Sequence, residues 1–166
     1  MKNIAIIGMM GVGKTTIAKL LAKQLDKYSF DTDEYVEYIR GQSISKIIAD
    51  YGEQTFRELE AQVFSLAVSY ENVVISCGGG IVLGENATKL RECTVVYLSA
   101  TPKVLADRLK TSYPRPLLSG NDEQEICNIY NQRKILYQQF ADITINCSYL
   151  SRKATAQQII EKLKLF

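Results

Sequence analysis

The chain has 166 residues, 46% hydrophobic and 23% charged, a size and composition that suit one domain around one sizeable core. Its 20 basic and 18 acidic residues leave a net charge of +2, which argues against a nucleic-acid or membrane-surface protein and makes any cationic site local. There is no histidine, so histidine triads and histidine metal sites are excluded. Cys77, Cys93, Cys127 and Cys147 show neither zinc-ligand nor redox spacing and read as reduced thiols of a cytoplasmic protein.

The first predicted element is a strand, Ile4-Ala5-Ile6-Ile7. It is too short for a signal peptide, and no apolar run reaches the ~20 residues a membrane helix needs. Gly8-Met9-Met10-Gly11-Val12-Gly13-Lys14-Thr15 follows and matches G-x-x-x-x-G-K-[ST] at every fixed position, with a helix predicted over 14–26 behind it. Glycines let the amides of the loop, Gly11, Val12 and Gly13 among them, curl around an anion. The new helix turns its positive end to the phosphates. Lys14 is expected on the β- and γ-phosphates, the Thr15 hydroxyl on Mg²⁺ and the Thr16 hydroxyl on the α-phosphate.

A weaker strand near 28–30 leads into Asp31-Thr32-Asp33-Glu34 and a helix over about 33–39. At that strand end Asp31 is placed to hold Mg²⁺ through water and Asp33 to accept a hydroxyl proton; equally, either could simply cap the helix. Helical pieces over 43–70 carry Arg57 and Glu60, three apart on one face. They form either an exposed ion pair or an arginine fork that grips an acceptor carboxylate, oriented by Glu60. A strand at 73–77 ends in Gly78-Gly79-Gly80, one glycine more than a turn needs, which favours close approach of a ligand to backbone amides.

Further strands are predicted at 94–98 and 142–146, and helices at 102–110, 122–139 and 153–164. The loop 111–121, with Pro114, Pro116 and Gly120 around Arg115, interrupts the alternation and is expected to be a lid. Strands alternating with helices predict a three-layer α/β sandwich. The whole, 1–166, reads as one domain with a helical insertion over about 33–60.

Taken in order, the loop at 8–15, Asp31-Thr32-Asp33, Gly52-Glu53 with Phe56-Arg57 and Glu60, the triple glycine, Arg115-Pro116-Leu117-Leu118, and Arg133 followed by Tyr137 resemble shikimate kinases over nearly the whole length. These belong to the nucleoside-monophosphate-kinase-like P-loop group. The resemblance implies a five-stranded parallel sheet of order 2-3-1-4-5, with ATP and Mg²⁺ as co-substrates and shikimate as acceptor, phosphorylated on its 3-hydroxyl. It implies that Asp33, Arg57, Gly79 and Arg133 contact shikimate, with Gly78 and Gly80 beside them, that Arg57 and Arg133 hold its carboxylate, and that Arg115 is the lid arginine on the phosphates. Arg108 would lie against the adenine. The chain departs from the family pattern at Ile48, where an aromatic is common, at Ser148–Arg152, which lacks the usual proline and the closely placed arginine, and at Cys77. Gluconate or nucleotide kinases are the nearest alternatives, and a nucleotide-dependent switch a more distant one; the chain lacks the Asn-Lys-x-Asp of a guanine-reading switch. A monomer in the cytoplasm, binding neither nucleic acid nor membrane, completes the expectation.

Overall fold

The computed structural model describes residues 2–110 and 123–165, with backbone alone at 85 and 86. The expected lid at 111–121, and Arg115 with it, lies outside the described residues. Five parallel strands, β1 (Ile4–Ile7), β2 (Tyr28–Asp31), β3 (Val73–Ser76), β4 (Thr94–Ser99) and β5 (Ile143–Asn146), form one sheet of order β2-β3-β1-β4-β5. The P-loop sandwich and the strand order are both as anticipated.

Strand composition follows position in the sheet. The central strands β1 and β3 are buried at every residue, as continuous apolar runs in a doubly covered parallel sheet must be. Each of the fully buried Ile4, Ile6 and Ile7 contributes about 1.5–3 kcal/mol of hydrophobic stabilisation. The edge strand β5 alternates buried and exposed, and the other edge, β2, is exposed or half-buried throughout, which is why its sequence signal is weak.

The helices are α1 (Lys14–Gln24), α2 (Thr32–Arg40), α3 (Ile44–Ser69), α4 (Pro102–Lys110), α5 (Glu123–Phe140) and α6 (Arg152–Leu163). α1 packs on α6 at one face of the sheet and α4 on α5. α1 stops short of residue 26 because Asp26 takes a left-handed conformation, with φ 52°. The helical pieces over 43–70 are one element broken at Gly52, whose φ of 86° lies outside helical space. A 3-10 segment at Glu85–Glu92 was not foreseen; it carries no apolar period to read. No helix among the described residues is long and apolar enough to cross a membrane.

Two cores result. The large one fills both faces of the sheet. A small one, Val36, Ile47, Phe56 and Val63, lies between α2 and α3, with Phe30, Tyr35, Ile44, Ile48 and Leu59 packed around it. Ile48 thus belongs to the packing of the helical insertion.

Candidate active site

The C-terminal ends of β1, β2, β3 and β5 face one cleft of about 960 Å³. This is the edge at which open α/β sheets bind ligands. Every described residue expected to touch nucleotide, metal or acceptor lines it: Gly11, Val12, Gly13, Lys14, Thr15, Thr16, Asp31, Asp33, Arg57, Gly78, Gly79, Gly80, Arg108 and Arg133.

At the phosphate end the backbone shapes the site. The Leu98 carbonyl occupies the place where a side chain on Gly8 would begin, so only glycine fits there. Gly13, at φ 102°, is the cap of α1 and offers no side-chain cap of its own. The first-turn amides and the helix dipole there suit an anion. Lys14 is nearly buried, and its Nζ donates to the carbonyls of Gly8 at 2.9 Å and Met9 at 3.1 Å, which holds the ammonium over the loop.

Asp31 caps a helix with one carboxylate oxygen and reaches the phosphate loop with the other. Its Oδ1 accepts from the amides of Asp33 (3.0 Å) and Glu34 (3.1 Å), capping α2. Its Oδ2 accepts from the Thr15 hydroxyl at 2.7 Å. A carboxylate and a hydroxyl oxygen side by side suit a hard cation such as Mg²⁺. That ion takes only one or two protein ligands and draws the rest from phosphates and water. The described residues contain no cluster of three or more acidic, histidine or cysteine ligands.

The acceptor end is built by side chains from separate elements. Arg57 donates from Nη1 to Glu60 Oε2 and from Nη2 to Glu53 Oε1, each at 2.9 Å, and its guanidinium lies 5.0 Å from the Phe56 ring. The pair is no surface ornament, since the Glu60 side chain is only 4% exposed and that of Arg57 19%. Burial works against the Arg57 charge, but Glu60 and Glu53 outweigh it and hold the guanidinium above its ordinary value. Glu60 Oε1 is buried and has no hydrogen-bond partner among the described residues.

The triple glycine makes room for these side chains. A Cβ at Gly78 would run into Glu60 Oε1 and come within 2.7 Å of Asp33 Oδ1, and one at Gly80 would run into the Arg57 guanidinium. None of the three has positive φ, so the requirement is space and not backbone freedom. Arg133 is half-buried; its Nη1 donates to the Gly79 carbonyl at 3.1 Å. Arg108 bridges the two sides of the nucleotide end, from Nη1 to Val12 O at 3.3 Å and from Nη2 to Cys147 O at 3.1 Å.

Sequence reasoning missed four contributors. Glu37, Ser43 and Ser45 line the cleft from the end of α2 and the turn into α3. Thr32 is fully buried: its hydroxyl donates to Ser76 O at 3.3 Å and accepts from Gly78 N–H at 3.0 Å, tying α2 to the glycine run. The signal for Thr32 was present, a hydroxyl between two carboxylates at a strand end, but its partner lies 46 residues away.

A family model described as shikimate kinase matches residues 10–164. Among curated relatives, shikimate kinase of Caldicellulosiruptor bescii is 44% identical over 163 residues, 96% of this chain and 94% of the relative. That of Thermodesulfovibrio yellowstonii is 39% identical over 98% of this chain and 95% of its own. A solved structure, shikimate kinase from Acinetobacter baumannii in complex with shikimate, superposes with a TM-score of 0.95 at 31% identity, covering 99% of this chain and 94% of that one.

Proposed function

The chain belongs to the shikimate kinase family, ATP-dependent kinases of aromatic amino-acid biosynthesis, and on that premise we propose how its own cleft carries ATP at one end and shikimate at the other. The observation that carries the reading is the meeting of Asp33, the Arg57–Glu60 pair, the glycine run and Arg133 in one cleft with the phosphate loop.

ATP lays its phosphates along Gly11, Val12 and Gly13 and the first turn of α1, with Thr16 near the α-phosphate. Lys14 leaves its carbonyl partners for the β- and γ-phosphates, exchanging two neutral acceptors for charged ones. Arg108 borders the base, between the loop and Cys147. Thr15, with Asp31 behind it through water, would hold Mg²⁺, which when bound neutralises phosphate charge.

Shikimate brings a carboxylate and three hydroxyls. Arg57 and Arg133 form a two-armed clamp for the carboxylate, and Gly79, flanked by Gly78 and Gly80, meets the ring at its backbone. Asp33 accepts a hydrogen bond from the 3-hydroxyl, orients its oxygen in line with the γ-phosphoryl and takes its proton as the new P–O bond forms and the bond from the γ-phosphorus to the bridging oxygen breaks, releasing ADP. Arg115, on the segment outside the described residues, supplies further positive charge at the phosphates. Phosphoryl transfer depends on positioning and charge neutralisation, so the absence of histidine is no handicap. A monomer in the cytoplasm completes the reading, and four cysteines without zinc-ligand or redox spacing suit that compartment.

An ADP-release assay over shikimate, gluconate and nucleoside monophosphates tests the acceptor. The reading requires turnover with shikimate to exceed that with the others by at least about 10³-fold, the discrimination that matched polar contacts provide. Comparable turnover with gluconate or a nucleotide would overturn it.

A further inference from the structure

Tyr137 sits on α5 one turn after Arg133 and is fully buried. Its hydroxyl donates to the Gly79 carbonyl, the same oxygen that receives Arg133 Nη1. The sulfur of Met9, in the phosphate loop, lies 3.9 Å from that hydroxyl. Burial pushes the phenol up to about 12, so it stays a donor at any working pH.

The neighbouring carbonyls are held by the backbone itself: Gly78 O accepts from Ile81 N–H at 3.2 Å and Gly80 O from Leu83 N–H at 2.8 Å. At Gly79 the holding is done by side chains of α5. This matters because peptide planes between glycines rotate with little steric resistance. A trans peptide is planar, so fixing the direction of Gly79 O also fixes the opposite direction of Gly80 N–H. It also fixes where Arg133 stands, since both donors share one acceptor.

We propose that Tyr137 is a positioning residue for acceptor binding: its hydroxyl locks the Gly79–Gly80 peptide and, through the shared carbonyl, the Arg133 guanidinium in the orientation that receives shikimate. This rests on the assignment of Arg133 and Gly79 to the acceptor. The alternative role for Tyr137 is ring packing alone, since it stacks on Tyr97 with centroids 5.1 Å apart at 22°. Tyr97 is the internal control. It is equally buried, and its hydroxyl has no hydrogen-bond partner among the described residues.

The test compares Tyr137→Phe with Tyr97→Phe, both of which keep the ring pair. Calorimetric titration should show shikimate binding weakened by about 5- to 20-fold in Tyr137→Phe, the scale of one lost hydrogen bond plus lost pre-organisation, with MgADP affinity changed less than about 2-fold. Tyr97→Phe should change neither. In ¹H–¹⁵N spectra of the free protein, the Gly80 amide should broaden or shift in Tyr137→Phe and stay in place in Tyr97→Phe. Unchanged shikimate affinity in a folded Tyr137→Phe overturns the proposal, as does an equal loss for both ligands. Arg133→Ala separates the two layers. If it weakens shikimate while Tyr137→Phe does not, only the positioning role falls; if it too is silent, the acceptor assignment falls. Should Tyr137→Phe fail to fold, Tyr137→4-aminophenylalanine restores a donor at the same place. Near wild-type shikimate affinity in that variant supports the proposal, and a 5-fold or greater loss with MgADP binding intact overturns it.

Discussion

The two ends of the cleft are made in different ways. The phosphate end is eight consecutive residues and the first turn of a helix, and its binding groups are chiefly main-chain amides. The acceptor end gathers Asp33 from α2, Arg57 and Glu60 from α3, three glycines from the end of β3 and Arg133 from α5. Its proposed binding groups are chiefly side chains, and Gly78 and Gly80 leave space for them. A phosphate is the same anion in every nucleotide, so a short backbone device suffices. A particular carbocycle is recognised only by polar groups placed around it from several directions.

The contrast is broken most directly at Lys14. Lys14→Ala should lower phosphoryl transfer by about 10³-fold or more in a protein whose circular dichroism is unchanged, because one charged group serving the transition state is removed from a backbone-built site. Substantial turnover by the folded variant would mean that the loop does not cradle a reacting phosphate. Next in size is Asp33→Asn, which should cost about 10²-fold in kcat, the usual contribution of a positioned base, with ATP affinity intact. A kcat within 2-fold of wild type would leave Asp33 as helix and loop packing only.

Arg57→Ala sharpens the comparison instead of breaking it. It should weaken shikimate binding by about 2–5 kcal/mol while nucleotide binding stays nearly constant, since it leaves Glu60 buried beside the site without its partner. Equal losses for both ligands in calorimetry would point to a collapsed insertion.

The smallest effect concerns the core away from the cleft. Burial pushes the Cys93 thiol up from 9 to about 11. The folded state then holds a proton that the unfolded state gives up, so this contribution to stability is whole below pH 9 and is lost as pH rises through 11. Melting temperature should fall over pH 9–11, and less steeply in Cys93→Ala. The same slope in both would assign the loss to other groups.

The same contrast explains what could be read from the sequence. The phosphate end is local, and its motif names its own roles, so every described loop residue from Gly11 to Thr16 lines the cleft. The strands of the sheet centre were legible because burial on both faces demands unbroken apolar runs. Away from that loop each residue carried an ordinary alternative, a helix cap for Asp31 and a surface ion pair for Arg57. Only the order of the pieces, through resemblance to a known family, chose between them. The structure shows the cap at Asp31: one carboxylate caps α2 and accepts from the Thr15 hydroxyl. The contacts of Thr32 and Tyr137, though both stand in the family series, stayed hidden because their partners lie 46 and 58 positions away.

The small core between α2 and α3 has a consequence of its own. Four fully enclosed apolar side chains hold the helical insertion together, against a far larger set under the sheet, and Gly52 breaks the second helix next to them. Free energies of opening rise with buried apolar area, so amide hydrogen exchange should find this insertion opening before the sheet. On the proposed assignment the insertion also carries Arg57. A bound acid that bridged Arg57 on the insertion and Arg133 on α5 would then draw the weaker unit against the stronger one, and some of its intrinsic affinity would appear as order in the protein.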